Sequence, residues 1–160
     1  MTDDNLVKVG IAVGSFLLGA ILSRFTMTKK ERFDVNAKRQ EQSNQLESEV
    51  VSAYKNYIES LSKLDRKENI TVDNFIKVES EGAAYFQALN SLANSMLSNN
   101  TEKESAKNSH VLKVKEGYER IIPAHYETLK SIARECDIPY KGEFLEVNYA
   151  SMKKVICKFN

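Results

Sequence analysis

The stretch from Leu6 to Phe25 constrains this chain most, because no other part of the sequence contains a comparable uncharged run. From Val9 to Ser23 no residue carries a charge, and as a helix these residues span about 22 Å, short of the roughly 30 Å hydrocarbon core of a bilayer. The side chains of Lys8 and Arg24 can reach toward the two interfaces while their stems stay buried, which extends the usable span. We therefore predict a transmembrane anchor at residues 6–27.

A cleaved signal peptide and a buried core helix are the two other interpretations of this run. Asp3 and Asp4 precede the run, and Ser23-Arg24-Phe25 follows it where a signal peptide would have small residues flanking a cleavage site. A core helix that is apolar on every side would need packing partners all around it. The sequence therefore favours an uncleaved anchor over both alternatives.

Basic residues are concentrated on the C-terminal side of the anchor. Only Lys8 precedes the run. The bases that follow, which we expect to determine topology, are Arg24, Lys29, Lys30 and Arg32, with Lys38 and Arg39 beyond them. By the positive-inside rule, we predict a single-pass protein of the cell membrane with its N-terminus outside and its C-terminal domain in the cytoplasm, most simply at a bacterial inner membrane.

Small residues repeat at four-residue spacing inside the predicted anchor. They are Gly10 and Gly14, with Ser15, Gly19 and Ser23 on a neighbouring face. Because small side chains let two helix backbones approach closely, these positions form a candidate helix-pairing face. Glycine is also common in membrane helices generally, so an anchor without pairing is the other interpretation.

The rest of the sequence has the composition of a helical protein. Six Gly and two Pro in 160 residues disfavour a fold built from strands and tight turns. With 23 basic and 22 acidic residues the formal net charge is +1, which gives no electrostatic reason to expect a nucleic-acid partner. We therefore predict an all-α protein in which a single N-terminal transmembrane helix precedes a three- to four-helix bundle.

The predicted layout has four parts. Residues 1–5 form a short polar tail, 6–27 the anchor, 28–45 a polar juxtamembrane stalk or tether, and 46–160 the helical bundle domain. The segment 28–45 contains neither Gly nor Pro, so the anchor helix can continue through it. A flexible tether is the alternative for this segment.

Amphipathic stripes predict the first two helices of the bundle. The first stripe has apolar residues at three- and four-residue spacing, namely Leu46, Val50, Ala53, Tyr54, Tyr57, Ile58, Leu61 and Leu64. A second helix is expected from Val72 to about Leu97, with Thr71 as its N-cap. Residues 98–100 (Ser-Asn-Asn) break the pattern, and residues 101–104 (Thr-Glu-Lys-Glu) have the form of a capping box.

A third and a fourth helix complete the predicted bundle. The third should bury Leu112, Val114, Tyr118, Ile121, Ile122, Leu129 and Ile132. Pro123 should kink or break it, because proline removes an amide donor and crowds the carbonyl four residues earlier. The last segment, residues 143–159, favours a helix, although alternation at its beginning leaves a strand as an alternative.

No catalytic or metal-binding pattern stands out in the sequence. Neither His110 nor His125 has the glutamate three residues earlier that a di-iron bundle uses. A zinc site that combines them with Cys136 has no recognised spacing. We expect both histidines at the surface or partly packed, the tyrosine hydroxyls in water, Cys136 and Cys157 as free thiols, and no metal or cofactor.

These observations together favour a non-enzymatic protein. An anchored bundle without a catalytic constellation can localise a partner, so we expect an interaction, scaffold or regulatory module at the inner membrane. Its partners would be the membrane and either another protein or a second copy of the chain, and not nucleic acid. The alternative is a ligand-binding sensor or receptor domain on the outer side, with the anchor inverted.

Overall fold

The computed structural model describes residues 3–64, 70–101 and 106–159; side chains are described at Leu22 and from Thr28 onward within those ranges, except at Ala106 and Lys107. Within these ranges the chain is helical and contains no strand. The helices are α1 (Asp3–Ser62), α2 (Val72–Leu97), α3 (residues 106–135) and α4 (Ala150–Phe159). The prediction of an all-α bundle is confirmed, and the strand alternative for the last segment is wrong.

Helix α1 continues without interruption through residues 28–45, so the helical alternative for this segment is the one observed. The chain divides into two compact units, Met1–Lys38 and Arg39–Asn160. Every side chain between Thr28 and Lys38 is exposed. The second unit contains the hydrophobic core.

No helix among the residues whose side chains are described is long and apolar enough to cross a membrane. The predicted anchor at residues 6–27 lies outside that part of the chain, apart from Leu22.

Both ends of α2 follow from its sequence. Thr71 has extended backbone angles, and its hydroxyl accepts a hydrogen bond from the Asn74 amide at 3.2 Å, which confirms the predicted N-cap. At the other end Asn99 adopts a left-handed φ of 55°. The amide of Asn100 then donates to the carbonyl of Ser95 at 3.0 Å. This pair of features is a Schellman ending, and it confirms the predicted break at residues 98–100. The predicted capping box falls mostly on residues 102–105, outside the described residues.

Helix α3 is continuous but not uniform. Its pieces are the π-helical turn Ala106–His110, the α-helix Val111–Glu116, the π-helical turn Gly117–Ile121 and the α-helix Ile122–Glu135. The second π turn lies immediately before Pro123, where the Ile122 amide donates to the carbonyl of Gly117, five residues back. A π turn is one way to accommodate a proline without breaking a helix, so the predicted break is not observed and the helix is irregular near Pro123 instead.

The core lies between α2, α3, α4 and the last six turns of α1. Helix α1 runs parallel to α3, because Ser43 pairs with His110 and Tyr57 with His125. Helix α2 is antiparallel to α3, since Gly82 lies against His125 whereas Leu89 lies against Gly117. Helix α4 closes the bundle, with Met152 reaching the same glycine of α3.

Three predicted core positions of α1 and α3 are exposed instead, as are Ile76 and Ala83 of α2 and Leu145 before α4. Leu112 is 64% exposed while its neighbours Val111 and Val114 are buried. On α1, Tyr54 and Ile58 are 42% and 43% exposed, and the buried stripe runs through Val50, Tyr57 and Leu64. The α3 register differs because each π turn adds a residue, so that the buried positions Gly117 and Ile122 are five residues apart.

A candidate binding groove and its buried polar support

The site residues predicted from sequence lie in the N-terminal unit. The proposed helix-pairing face (Gly10, Gly14, Ser15, Gly19 and Ser23) lies outside the residues whose side chains are described, as does Arg24. Lys29, Lys30 and Arg32 are exposed on α1.

His125 is buried in the bundle, and the prediction of a surface or partly packed histidine is wrong for it. The Nδ1 atom of its ring is joined by a hydrogen bond of 3.0 Å to the hydroxyl of Tyr57. The ring packs edge-on against Phe86, with 4.9 Å between centroids. It fits because Gly82 faces it: a Cβ at that position would be 2.5 Å from Cε1 of the ring. Burial lowers the pKa of His125 to about 4, so the ring is neutral at pH 7.

His110 is also buried, near the beginning of α3, and there too the prediction is wrong. Its Nε2 atom is joined to the hydroxyl of Ser43 by a hydrogen bond of 2.9 Å. Beside this pair, the ammonium of Lys113 forms an ion pair with the carboxylate of Glu47. The hydrogen bond from Lys113, opposed by burial, lowers the pKa of Glu47. A buried imidazole and a partly exposed ion pair therefore join α1 to the first turns of α3.

Four buried positions along α1 and the turn that follows it are seven residues apart, namely Ser43, Val50, Tyr57 and Leu64, and Ser60 is buried beside this stripe. A seven-residue repeat keeps one stripe of a helix against a neighbour, as in a coiled coil. Two of the four positions are polar, and each bonds a histidine of α3. Because a buried polar group without a partner costs free energy, these two bonds favour one register of α1 over its neighbours.

A groove of about 230 Å³ lies between α1 and α3 on the surface of the bundle. Its lining residues are Val50, Val51 and Tyr54 from α1, Tyr85 from α2, and Lys113, Glu116 and Ile121 from α3. Glu116 immediately precedes the π turn and Ile121 ends it. The groove therefore lies where α3 departs from α-helical geometry, and π turns of this kind occur frequently at functional sites.

The groove has aromatic walls and an uneven distribution of charge. The rings of Tyr54 and Tyr85 lie 5.2 Å apart at 53°. Burial, helped by Tyr54 and Glu116, raises the pKa of Tyr85 to about 12, so its hydroxyl stays protonated. Lys113 is paired with Glu47, whereas Glu116 pairs with Arg120 across one turn at 3.4 Å. Exposed helix pairs of the second kind are worth about 0.3–0.5 kcal/mol.

An apolar stripe continues from the groove along α1. Val51, Tyr54 and Ile58 are 54%, 42% and 43% exposed and lie on one helix face at spacings of three and four residues. Exposed apolar residues are ordinary when single, but a row that adjoins a groove is typical of a protein-binding surface.

The described residues contain no group of three or more His, Cys, Asp or Glu side chains arranged to hold a metal ion. The two histidines are bonded to different hydroxyls of α1. Cys136, which the sequence paired with them as a remote zinc alternative, is an exposed free thiol, as is Cys157.

No sequence pattern identifies the residues that line the groove as a binding site. Tyr54 and Ile121 were assigned to the core, and Lys113 and Glu116 are ordinary charges on a helix. The one available signal was Pro123, which marks α3 as irregular at this level. Comparison with known proteins finds no family model, no curated protein and no solved structure that matches this chain.

Proposed function

We propose that this chain is a single-pass membrane-anchored protein whose helical bundle acts as a non-enzymatic interaction, scaffold or regulatory module at the cytoplasmic face of an inner membrane. The uncharged run at residues 9–23 supports the anchor, and the bases that follow it support the orientation. The observation that carries the interaction role is the groove between α1 and α3 with its adjoining apolar stripe. Pairing of two copies through Gly10, Gly14, Ser15, Gly19 and Ser23 is part of this proposal.

The size of the groove favours a protein partner over a small ligand. Sites for drug-sized ligands are typically about 300–1,000 Å³ and enclose most of the ligand. At about 230 Å³ the groove is smaller and is open to solvent along the exposed stripe. It suits one or two side chains of a partner, in the way that anchor residues fill pockets at interfaces.

An external ligand sensor is the second candidate function. The two tyrosines and the two charged residues that line the groove, Lys113 and Glu116, support it, since a few polar groups in a mostly apolar pocket can orient a small molecule. In this version the anchor is inverted and the bundle lies outside the membrane.

Photo-crosslinking in native membranes tests the interaction role. A photoreactive phenylalanine analogue at position 54 of the full chain should give a discrete crosslinked product, because Tyr54 borders both the groove and the stripe. The same analogue at Gln87, an exposed position of α2, is the matched control and should give none. No product at position 54, or the same products at both positions, would contradict an interaction role for this face.

A further inference from the structure

The groove has features that select one kind of side chain, and the following inference rests on the proposed interaction role. Two tyrosine rings, Val50, Val51 and Ile121 provide apolar and aromatic contact along its length. A carboxylate, that of Glu116, lies at its α3 side, and its negative charge helps to raise the pKa of Tyr85. An apolar channel with aromatic faces and an acid beside it is complementary to a long aliphatic stem that ends in a cation.

The charged residues that line the groove also favour a cationic ligand. The cation that lines it, Lys113, is held by Glu47 in an ion pair that also lowers the pKa of that carboxylate. Glu116 has a weaker partner, because Arg120 is 78% exposed and approaches it only from one turn away. Water can solvate Arg120 when a better-placed cation displaces it. The groove therefore offers one acidic group that is available for a ligand.

Arginine satisfies these features better than lysine. A guanidinium is planar, stacks on a tyrosine ring, and can donate two parallel hydrogen bonds to one carboxylate. A lysine ammonium is a compact, strongly hydrated charge that gains less from an aromatic wall. The exposed stripe of Val51, Tyr54 and Ile58 provides a surface on which a helix carrying that arginine can lie.

We propose that the groove takes an arginine side chain presented by an amphipathic helix of a partner protein, with the apolar neighbours of that arginine packed on Val51, Tyr54 and Ile58. The guanidinium stacks on the partly exposed ring of Tyr54 and pairs with Glu116, replacing Arg120.

Matched peptides test this proposal on the full chain in lipid nanodiscs. Three helical peptides share one sequence with leucines on one face, and differ only in a central arginine, its neutral isostere citrulline, or leucine. Each carries one tryptophan, whose fluorescence reports binding because the chain itself contains no Trp. The arginine peptide should bind about tenfold or more tighter than the citrulline peptide, as expected for a charge-assisted hydrogen bond.

Two variants of the chain assign the effect to the groove. Glu116→Gln keeps the size of the side chain and should reduce binding of the arginine peptide to the level of the citrulline peptide. Glu119→Gln removes an exposed acid of the same helix outside the groove lining and should leave the preference unchanged. Equal binding of the three peptides, or an arginine preference that survives Glu116→Gln, would overturn the proposal.

A third variant separates this proposal from the interaction role on which it rests. Ile58→Asp places a charge on the stripe and should weaken all three peptides. If it does so while the arginine peptide shows no advantage, the arginine proposal fails and the interaction surface remains. If no peptide binds and position 54 gives no crosslink, both fail. If free arginine amide binds as tightly as the arginine peptide, the groove takes a small cation and the proposal is overturned. If the chain self-associates and the peptide displaces the second copy, the groove is an interface between copies and the proposal is likewise overturned.

Discussion

His125 lies in an aromatic cluster, where the Nδ1 atom of its ring is joined by a hydrogen bond to the hydroxyl of Tyr57. A charged imidazolium in that position would have lost most of its hydration, so burial holds the ring neutral and lowers its pKa to about 4. The titratable side chains whose rings contact it are Tyr57 from α1 and Tyr126 from its own helix. Burial raises the pKa of Tyr57 to about 12, so its phenol carries no charge at neutral pH that would stabilise a cation.

Because of His125, the free energy of unfolding of the bundle should depend on pH between about pH 4 and pH 6.5. The unfolded chain binds a proton below about pH 6.5 and the folded chain only near pH 4, so stability is complete above that window and falls as the pH drops through it. By about pH 5 the loss should be about 2 kcal/mol. Denaturant unfolding of wild type and His125→Gln at about pH 7.5 and pH 5 measures it. The same pH dependence in both proteins would contradict this assignment.

Gly82 is required by the ring that packs against it. An alanine Cβ there would lie 2.5 Å from Cε1 of His125, whose ring is fixed by Tyr57 and Phe86. Alanine favours a helix by up to about 1 kcal/mol, but overpacking a fixed group costs about 1–3 kcal/mol. Gly82→Ala should therefore destabilise the bundle by up to about 2 kcal/mol in thermal or urea unfolding. Ala84→Gly, at an exposed position of α2, is the control for propensity alone. A stabilised Gly82→Ala would show that the ring moves freely.

The element that most affects the arrangement of the bundle is α3, because its two π turns change which residues face the core. Each π turn inserts one extra residue, so the buried positions that follow it differ from those of a uniform α-helix through residues 106–135. Gly117, which begins the second π turn, lies against Leu89 and Met152. The irregular turn thus keeps a glycine at the closest approach of α2, α3 and α4, and leaves Ile121 at the groove.

Two leucines of α3 distinguish the observed register from the one that the apolar pattern predicts. Leu129 is fully buried and Leu112 is 64% exposed. Replacing a buried leucine with alanine removes its transfer free energy and leaves a cavity, so Leu129→Ala should cost about 2–5 kcal/mol. Leu112→Ala should change stability by less than about 0.5 kcal/mol. Chemical denaturation of the two variants measures both values. Comparable losses in the free energy of unfolding would show that Leu112 is buried in the core.

At the scale of the whole molecule, the two candidate functions differ in which side of the membrane holds the bundle. A module that localises a partner in the cell needs the bundle in the cytoplasm, whereas a sensor of external ligands needs it outside. The bases after the apolar run favour the first arrangement. Both cysteines are exposed free thiols in the bundle, which makes them reporters of its side.

Thiol labelling with a membrane-impermeant maleimide should discriminate between these arrangements. If the bundle is cytoplasmic, Cys136 and Cys157 should react only after spheroplasts are broken, and the thiol count should be the same with and without a reductant. A serine variant of each cysteine assigns the labelled position. Labelling of intact spheroplasts would reverse the orientation and make the external sensor the better proposal.

Local sequence features determined the helical class and most helix ends. Apolar periodicity, Thr71 at the N-cap of α2, and the Asn and Asp residues in left-handed conformations at the ends of α2 and α3 act over four to six neighbouring residues. These features can be recognised in the sequence because the hydrogen bonds that they form are local. The same is true of Pro123, which marked the irregular part of α3 without specifying its form.

Only the tertiary structure decided which polar residues are buried and where a groove forms. Ser43 with His110, and Tyr57 with His125, are separated by 67 and 68 residues in the chain. No local pattern distinguishes a histidine that meets a hydroxyl in the core from one that lies in water. The groove likewise depends on how far two parallel helices stand apart beside a π turn. Its residues were ordinary in sequence, because packing across the bundle creates the cavity that they line.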